Sequence, residues 1–295
     1  CQRESTFIVS TDTAYGTLLN YGIIPDAVVS VDAQQVSSEH FIGITKCPTA
    51  FIFDISSNPE TVRTVFEKGN KIFFIRSNHP LASLIGEKAG IPYAESGSGT
   101  VTIAAADWAR QQNFKEIAFY GADFAYSDGK PYCRGTYLEK KFLSSSCRTA
   151  SSEDKYAALM FRTELEKAES GLLGNLGKSA VTNRVLASYG STLLEWAEKH
   201  GLKRQGNAFT ALGECPKTKA AANSPFDYKT FISGYTGTVQ SLASRMGNMS
   251  LSKIVGEILG SHQLISLLPL FAASGKETII EDISIALQLL LYYNL

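Results

Sequence analysis

Two glycines alternate with hydroxyl side chains at Ser96-Gly97-Ser98-Gly99-Thr100, directly ahead of an apolar stretch at residues 101–110. Glycine lets the backbone approach a ligand closely, and a helix N-terminus presents unpaired N–H groups to an anion. The chemistry such a loop supports is phosphate binding through backbone amides, aided by the helix dipole. Its simpler alternative is a tight turn in which Thr100 caps the helix. The segment is neither a Walker A motif, since no Gly-Lys-Ser/Thr follows, nor a Gly-x-Gly-x-x-Gly fingerprint.

Carboxylates form the second set. Asp32 ends the apolar run 27–31, and Asp123 follows the run 116–120 and Gly121-Ala122. Two carboxylates at the mouth of a sheet hold Mg²⁺ with a nucleotide diphosphate, or one of them takes the proton of an acceptor hydroxyl. Alternatively, Asp32 caps a helix or pairs with an arginine such as Arg76, and Asp123 poses the same choice. Further polar residues follow other apolar runs: Thr11, Asp12, Gln34, Asp54, Arg76, Ser77 and Asn78. Part of that pattern is ordinary helix capping. After Asp123 comes a long polar-aromatic segment, residues 124–142, that carries Lys130 and Arg134 and reads as a lid. Arg134 and Arg148 either clamp phosphate or are solvated loop charges.

Other chemistries are disfavoured. His40, His79, His200 and His262 show no metal-ligand spacing, and the five cysteines form no CxxC pair, so no metal site is expected. His79 reads as a first-turn residue and the other histidines as surface or core. There is no Gly-x-Ser-x-Gly elbow for a serine nucleophile.

The elements that must position these residues alternate in type. Residues 7–10, 27–32, 49–53, 71–75 and 116–120 are short apolar runs, and helical spacing recurs at 14–19, 59–68, 79–89 and 100–112. Strands separated by helices of this length predict parallel βαβ units, hence a Rossmann-like, doubly wound, mostly parallel α/β sheet over residues 1–210. In such sheets ligands bind outside the carboxyl ends of the strands, where the polar residues above fall. Helices are expected at 156–168 and 180–199, with residues 171–177 as a joint and 202–205 as an edge strand. Residues 211–225, rich in Lys, Ala and Asn, read as a linker. Residues 226–295 show three helical patterns, at 226–246, 251–268 and 276–293, and are expected to form a helical appendage, a possible surface for homo-oligomerisation.

Composition narrows the partners. The 28 Lys and Arg balance 28 Asp and Glu, so bulk charge does not point to nucleic acid. The longest apolar segments, near 264–274 and 283–293, fall short of the roughly 20 residues of a membrane-spanning helix. No signal peptide is visible, and scattered cysteines fit a reducing cytoplasm.

One combination of segments resembles a known family. Ser10-Thr11-Asp12-Thr13-Ala14, Gly22-Ile23-Ile24-Pro25-Asp26 through Val31-Asp32, Gly97-Ser98-Gly99 ahead of a helix, and Gly121-Ala122-Asp123-Phe124 with Gly129-Lys130 are similar in order and spacing to the domain shared by motility-associated (Maf) flagellin glycosyltransferases and MptE-like 6-hydroxymethylpterin diphosphokinases. The likeness covers about residues 7–142. It implies a transferase with a nucleotide-activated donor. In the glycosyltransferase branch, a nonulosonic acid passes from a CMP-sugar to a Ser or Thr hydroxyl of flagellin; in the other, ATP with Mg²⁺ diphosphorylates a pterin alcohol. For such a transferase the residues suggest donor phosphates on Ser96, Gly97, Ser98, Gly99 and Thr100, with Asp32 and Gln34 meeting ribose or base and Thr11, Asp12, Ser77 and Asn78 completing the donor site. Asp123, Lys130 and Arg134, with Asp32, are the expected catalytic residues, serving the acceptor or the transition-state charge. Family members usually carry a strand and a Gly-x-Gly-Pro-Ser-like loop ahead of the segment matching Phe7, which this sequence does not show. Either the sequence is a fragment of a longer chain or the phosphate-binding apparatus is altered, and a third expectation is a binding or scaffold protein that keeps the fold without the chemistry.

Overall fold

The computed structural model describes residues 6–96, 99–127, 129–168, 180–211, 226–246 and 249–261. It divides into two units, residues 1–77 with 94–219, and residues 78–93 with 220–295.

The first unit is built on four parallel strands in the order β1 (Val9–Thr11), β2 (Ala27–Ser30), β3 (Ala50–Asp54) and β4 (Lys71–Ile75). Ser10 lies opposite Val28, Val29 opposite Ile52, and Ile52 opposite Phe73. The side-chain period of two divides the core between the faces of this sheet. Val28, Phe51 and Phe53 meet Tyr15 of α1 (Asp12–Asn20), Phe41 at the end of the 3-10 helix Gln35–Phe41, and Val65 of α2 (Pro59–Glu67). Ala27, Val29 and Ile52 face the other way, towards Ala104 and Ala105 of α4 (Val101–Gln111). A strand covered on both faces reads as an unbroken apolar run, which is why β2 is buried throughout. The architecture is thus the expected α/β one, a parallel sheet with helices on both sides.

The strand at 116–118 departs from expectation. β5 (Glu116–Ala118) does not extend the parallel sheet; it pairs antiparallel with β9 (Ala208–Ala211), which pairs with β8 (Leu202–Gln205). α4 is the wedge between the two sheets. Its Ile103 and Ala106 join Phe119, Phe209, and Leu193 and Trp196 of α7 (Arg184–Lys199) in a second core. Small alanines on the first face and a larger isoleucine on the second let one helix serve both.

The lid segment is more structured than its composition implies. It leads into α5 (Tyr137–Ser144) and α6 (Ser152–Met160), capped by Ser151 with Asp154 in a reciprocal box. The helix expected at 156–168 ends at Met160, and the one expected from 180 begins at Arg184. Between them β6 (Glu166–Lys167) pairs with β7 (Val181–Thr182). In the second unit α3 (Pro80–Ala89), α8 (Tyr228–Met246) and α9 (Leu251–Leu259) are helical. The joint at 171–177, most of the linker (212–225) and the third C-terminal helix at 276–293 lie outside the described residues. Among the described residues, no helix is long and apolar enough to cross a membrane, and Cys47, Cys133 and Cys147 are free thiols.

One buried carboxylate ties the elements together. Asp107 of α4 is 1% exposed. It accepts from the Glu95 backbone N–H at 3.0 Å, Arg110 Nε at 2.9 Å, Gln111 Nε2 at 2.8 Å and Trp196 Nε1 at 3.3 Å. Burial raises its pKa, but the Glu95 amide and the Arg110 guanidinium outweigh that effect and hold it below the usual carboxylate value. The ionised form is therefore favoured on folding, a contribution present above the unfolded value near ~3.9 and lost as pH falls through the folded one. Asp107→Ala removes the acceptor shared by the Glu95 amide, Arg110, Gln111 and Trp196 and is expected to cost about 3–5 kcal/mol in denaturant unfolding at pH 7. Asp107→Asn is expected to show a smaller loss of stability between pH 5 and pH 2.5 than the parent protein.

Candidate functional site

The carboxyl ends of β1 and β2 deliver the first carboxylates. Thr11 caps α1 through Ala14 N–H at 3.4 Å, which leaves Asp12 as the first helical residue, 2% exposed. Asp12 Oδ2 accepts from Ser30 Oγ at 2.7 Å and Oδ1 from Thr13 N–H at 2.7 Å, so the carboxylate stitches β1 to β2. Asp32 Oδ1 accepts from Gln34 N–H at 2.8 Å, a local turn bond that leaves its second oxygen to the mouth. Gln34 is exposed and caps the 3-10 helix by position only, with no side-chain bond.

That 3-10 helix contributes what sequence reasoning missed. His40 lies edge-on to Tyr137, with ring centroids 4.7 Å apart, and its buried Nδ1 has no hydrogen-bond partner among the described residues. Burial lowers the His40 pKa against the opposing charges of Asp12, Asp32 and Glu39, so the imidazole is neutral at pH 7. Burial also raises the Tyr137 hydroxyl, and Glu39, Asp32 and Asp12 push it further the same way. Tyr132, raised first by burial, feels Tyr137, Tyr126, Asp12 and Tyr189. The mouth is therefore floored by carboxylates and walled by tyrosines. Among the described residues no group of three or more His, Cys, Asp or Glu is placed to hold a metal ion.

The glycine turn packs against Tyr189 of α7. Gly99 has φ +77°, and a Cβ built there would lie 2.9 Å from the Tyr189 ring. Thr100 caps α4 through Thr102 N–H at 3.3 Å. Ser96 Oγ is buried with no hydrogen-bond partner among the described residues, whereas Gly97 and Ser98 lie outside them. Glu95 is fixed by Asp107 below and by Lys199 Nζ at 3.0 Å.

The remaining expected residues disperse. Asp123 is half-buried, next to Phe124 at φ +49°, a left-handed conformation that a phenylalanine adopts only under constraint. Thr182 Oγ1 donating to Phe124 O at 2.8 Å supplies part of it. Lys130 lies within electrostatic reach of Glu153, at the head of α6. Arg134 is exposed, and it is its carbonyl that is used, accepting from Thr17 Oγ1 at 2.9 Å. Beside it, a Cβ on Gly16 would meet Gly135 O at 2.9 Å, so the lid lies directly on α1. Ser77 ends one segment of the first unit, and Asn78 belongs to the second.

A parallel α/β domain with polar side chains gathered at the carboxyl edge of its sheet is the class that fold and site define. Residues 2–129 match the family model described as 6-hydroxymethylpterin diphosphokinase MptE-like, so this part of the chain is similar to an MptE-like domain. An uncharacterised protein of Treponema pallidum (strain Nichols) is 40% identical over 112 residues, covering 38% of this chain and 40% of the relative. A second uncharacterised protein of the same strain is 28% identical over 152 residues, covering 50% of this chain and 26% of the relative. The chain thus spans well under two thirds of the length of either relative. No solved structure matches it.

Two substitutions probe this geometry. Gly99→Ala forces both a strained φ and a collision with Tyr189, so adding Tyr189→Ala is expected to recover part of its stability loss. A double-mutant cycle in urea should return a coupling of about 0.5–3 kcal/mol. Gly16→Ala drives a methyl into backbone and is expected to cost about 1–3 kcal/mol by the same measurement.

Proposed function

We propose that this domain transfers a group from a nucleotide-activated donor to a hydroxyl acceptor. The observation that carries the reading is the polar carboxyl edge of a parallel sheet, where Asp12 follows β1 and Asp32 follows β2, in a domain whose α4 opens on a glycine turn with φ +77° at Gly99. The donor phosphates would lie on the amides of Ser96, Gly97, Ser98, Gly99 and Thr100, and Asp32 and Gln34 would meet ribose or base. Asp123, with Lys130 and Arg134, would serve the acceptor.

Within that class the charge of the mouth favours glycosyl transfer. Carbon–oxygen cleavage at a sugar develops positive charge at the anomeric centre, which Asp12 and Asp32 would stabilise. The acceptor oxygen would attack that carbon, the donor phosphate would leave with the bonding electrons, and a carboxylate would take the hydroxyl proton. A CMP-linked nonulosonic acid passing to a Ser or Thr hydroxyl of flagellin fits this chemistry. The family description favours a second reading, ATP-dependent diphosphorylation of a pterin alcohol. In that case the same carboxylates must be neutralised by Mg²⁺, and the free oxygen of Asp32 is the first ligand to expect, because Mg²⁺ takes one or two carboxylates along with substrate phosphates. Mg²⁺ would supply charge to the phosphoryl oxygens.

Calorimetric titration with CMP, CDP and ATP, each with Mg²⁺ and with chelator, decides between them. CMP or CDP binding in chelator, weakened about tenfold or more by Asp32→Asn, supports glycosyl transfer. Binding of ATP alone, and only with Mg²⁺, supports the diphosphokinase. Binding of none overturns both and leaves the fold as a scaffold.

A further inference from the structure

A cavity of about 890 Å³ opens on the flank of the same unit, between α1, the 3-10 helix with the loop that follows it, and α5. The glycine loop takes no part in its wall. Its size is that of small-molecule pockets, which pair an apolar lining with a few convergent polar groups. The apolar part comes from Leu19, Ile24 and Ile42 at the rim, all substantially exposed, and Ile44 below.

The polar part is uneven in charge. Asp12 is satisfied by Ser30 and Thr13, and Glu39 is paired with Lys141 at 3.1 Å. Lys46 and Lys140, both exposed, line the cavity without an ion-pair partner among the described residues. The balance left over is positive. Deeper in, His40 Nδ1 is buried without a partner and the Tyr137 hydroxyl makes no hydrogen bond among the described residues. An unpartnered buried nitrogen costs free energy that a ligand's polar group would recover.

We propose that this cavity, which adjoins the strand-end mouth and shares Asp12, Glu39, His40 and Tyr137 with it, binds a ring-sized organic anion. Its apolar body lies against Leu19 and Ile44, its charge between Lys46 and Lys140, and a hydroxyl, carbonyl or amine meets His40 and Tyr137. The site stands whether or not the mouth binds a nucleotide.

The probe is 1-anilinonaphthalene-8-sulfonate, an aromatic body with one anion and one N–H, titrated by fluorescence into the full chain. One saturable site is expected, weakened about tenfold or more by Leu19→Trp, which fills the cavity, and several-fold by Lys140→Glu, which lies on the surface and leaves the core untouched. Absence of saturable binding, or affinity and stoichiometry unchanged in both variants, overturns the site. Displacement of the dye by 1-naphthyl phosphate or 1-naphthoate supports it and tells which anion is preferred. Equal displacement by neutral 1-naphthalenemethanol overturns the assignment of an anionic ligand. No nucleotide enters this assay, so its failure is distinct from failure of the nucleotide titration.

Discussion

The Asp107 carboxylate is the contact on which the rest of the first unit depends. A charge this deeply buried is tolerable only when its lone pairs are filled, and here a backbone amide, a guanidinium, an amide side chain and an indole fill them. The four donors belong to three pieces of architecture. Arg110 and Gln111 keep the bond within α4, Trp196 brings in α7 and the second core, and Glu95 N–H sets where the glycine loop starts. His200 stands 3.6 Å from Glu95 and 3.8 Å from Asp107. Burial and Arg110 lower its pKa against both carboxylates, so it adds a neutral ring to the knot at pH 7.

From that knot the mouth follows mechanically. With Glu95 fixed, Gly99 reaches Tyr189, and Tyr189 leads through Tyr132 to Asp12 at the end of β1. Asp12 is in turn held by Ser30 of β2, so the ends of β1 and β2 are tied together beside the tyrosines. The close approach of Gly135 to α1 seats the lid on the same helix that Asp12 opens. Rigidity at the base and aromatic side chains at the rim suit a site that orients a substrate before chemistry.

The parallel sheet was legible because β2 and β3 must be apolar on both faces and the helices between them carry plain start signals, such as Asn58-Pro59. Thr100 was equally legible as a cap. The antiparallel pairing of β5 was not, because its partner is β9, far along the chain, and a three-residue run carries no sign of direction. Asp107 had a local signal, a lone acid in an alanine-rich helix with Arg110 and Gln111 one turn on. Its long-range donors, Glu95 and Trp196, had none. His40 was read as surface or core because one histidine in a polar segment has no periodic signature; only the fold brings Tyr137 against it. Lys130 and Arg134 stand out in the sequence by charge alone; in the structure Lys130 lies within electrostatic reach of Glu153 and Arg134 is exposed.

The central claim is that three separate stretches, the ends of β1 and β2 and the loop before α4, form one ligand surface. Hydrogen exchange of the full chain, with and without saturating nucleotide, tests it most directly. The account predicts added protection in the peptides spanning residues 10–16, 30–36 and 95–104 together. Protection confined to one of them, or appearing only in α8 and α9, would contradict it.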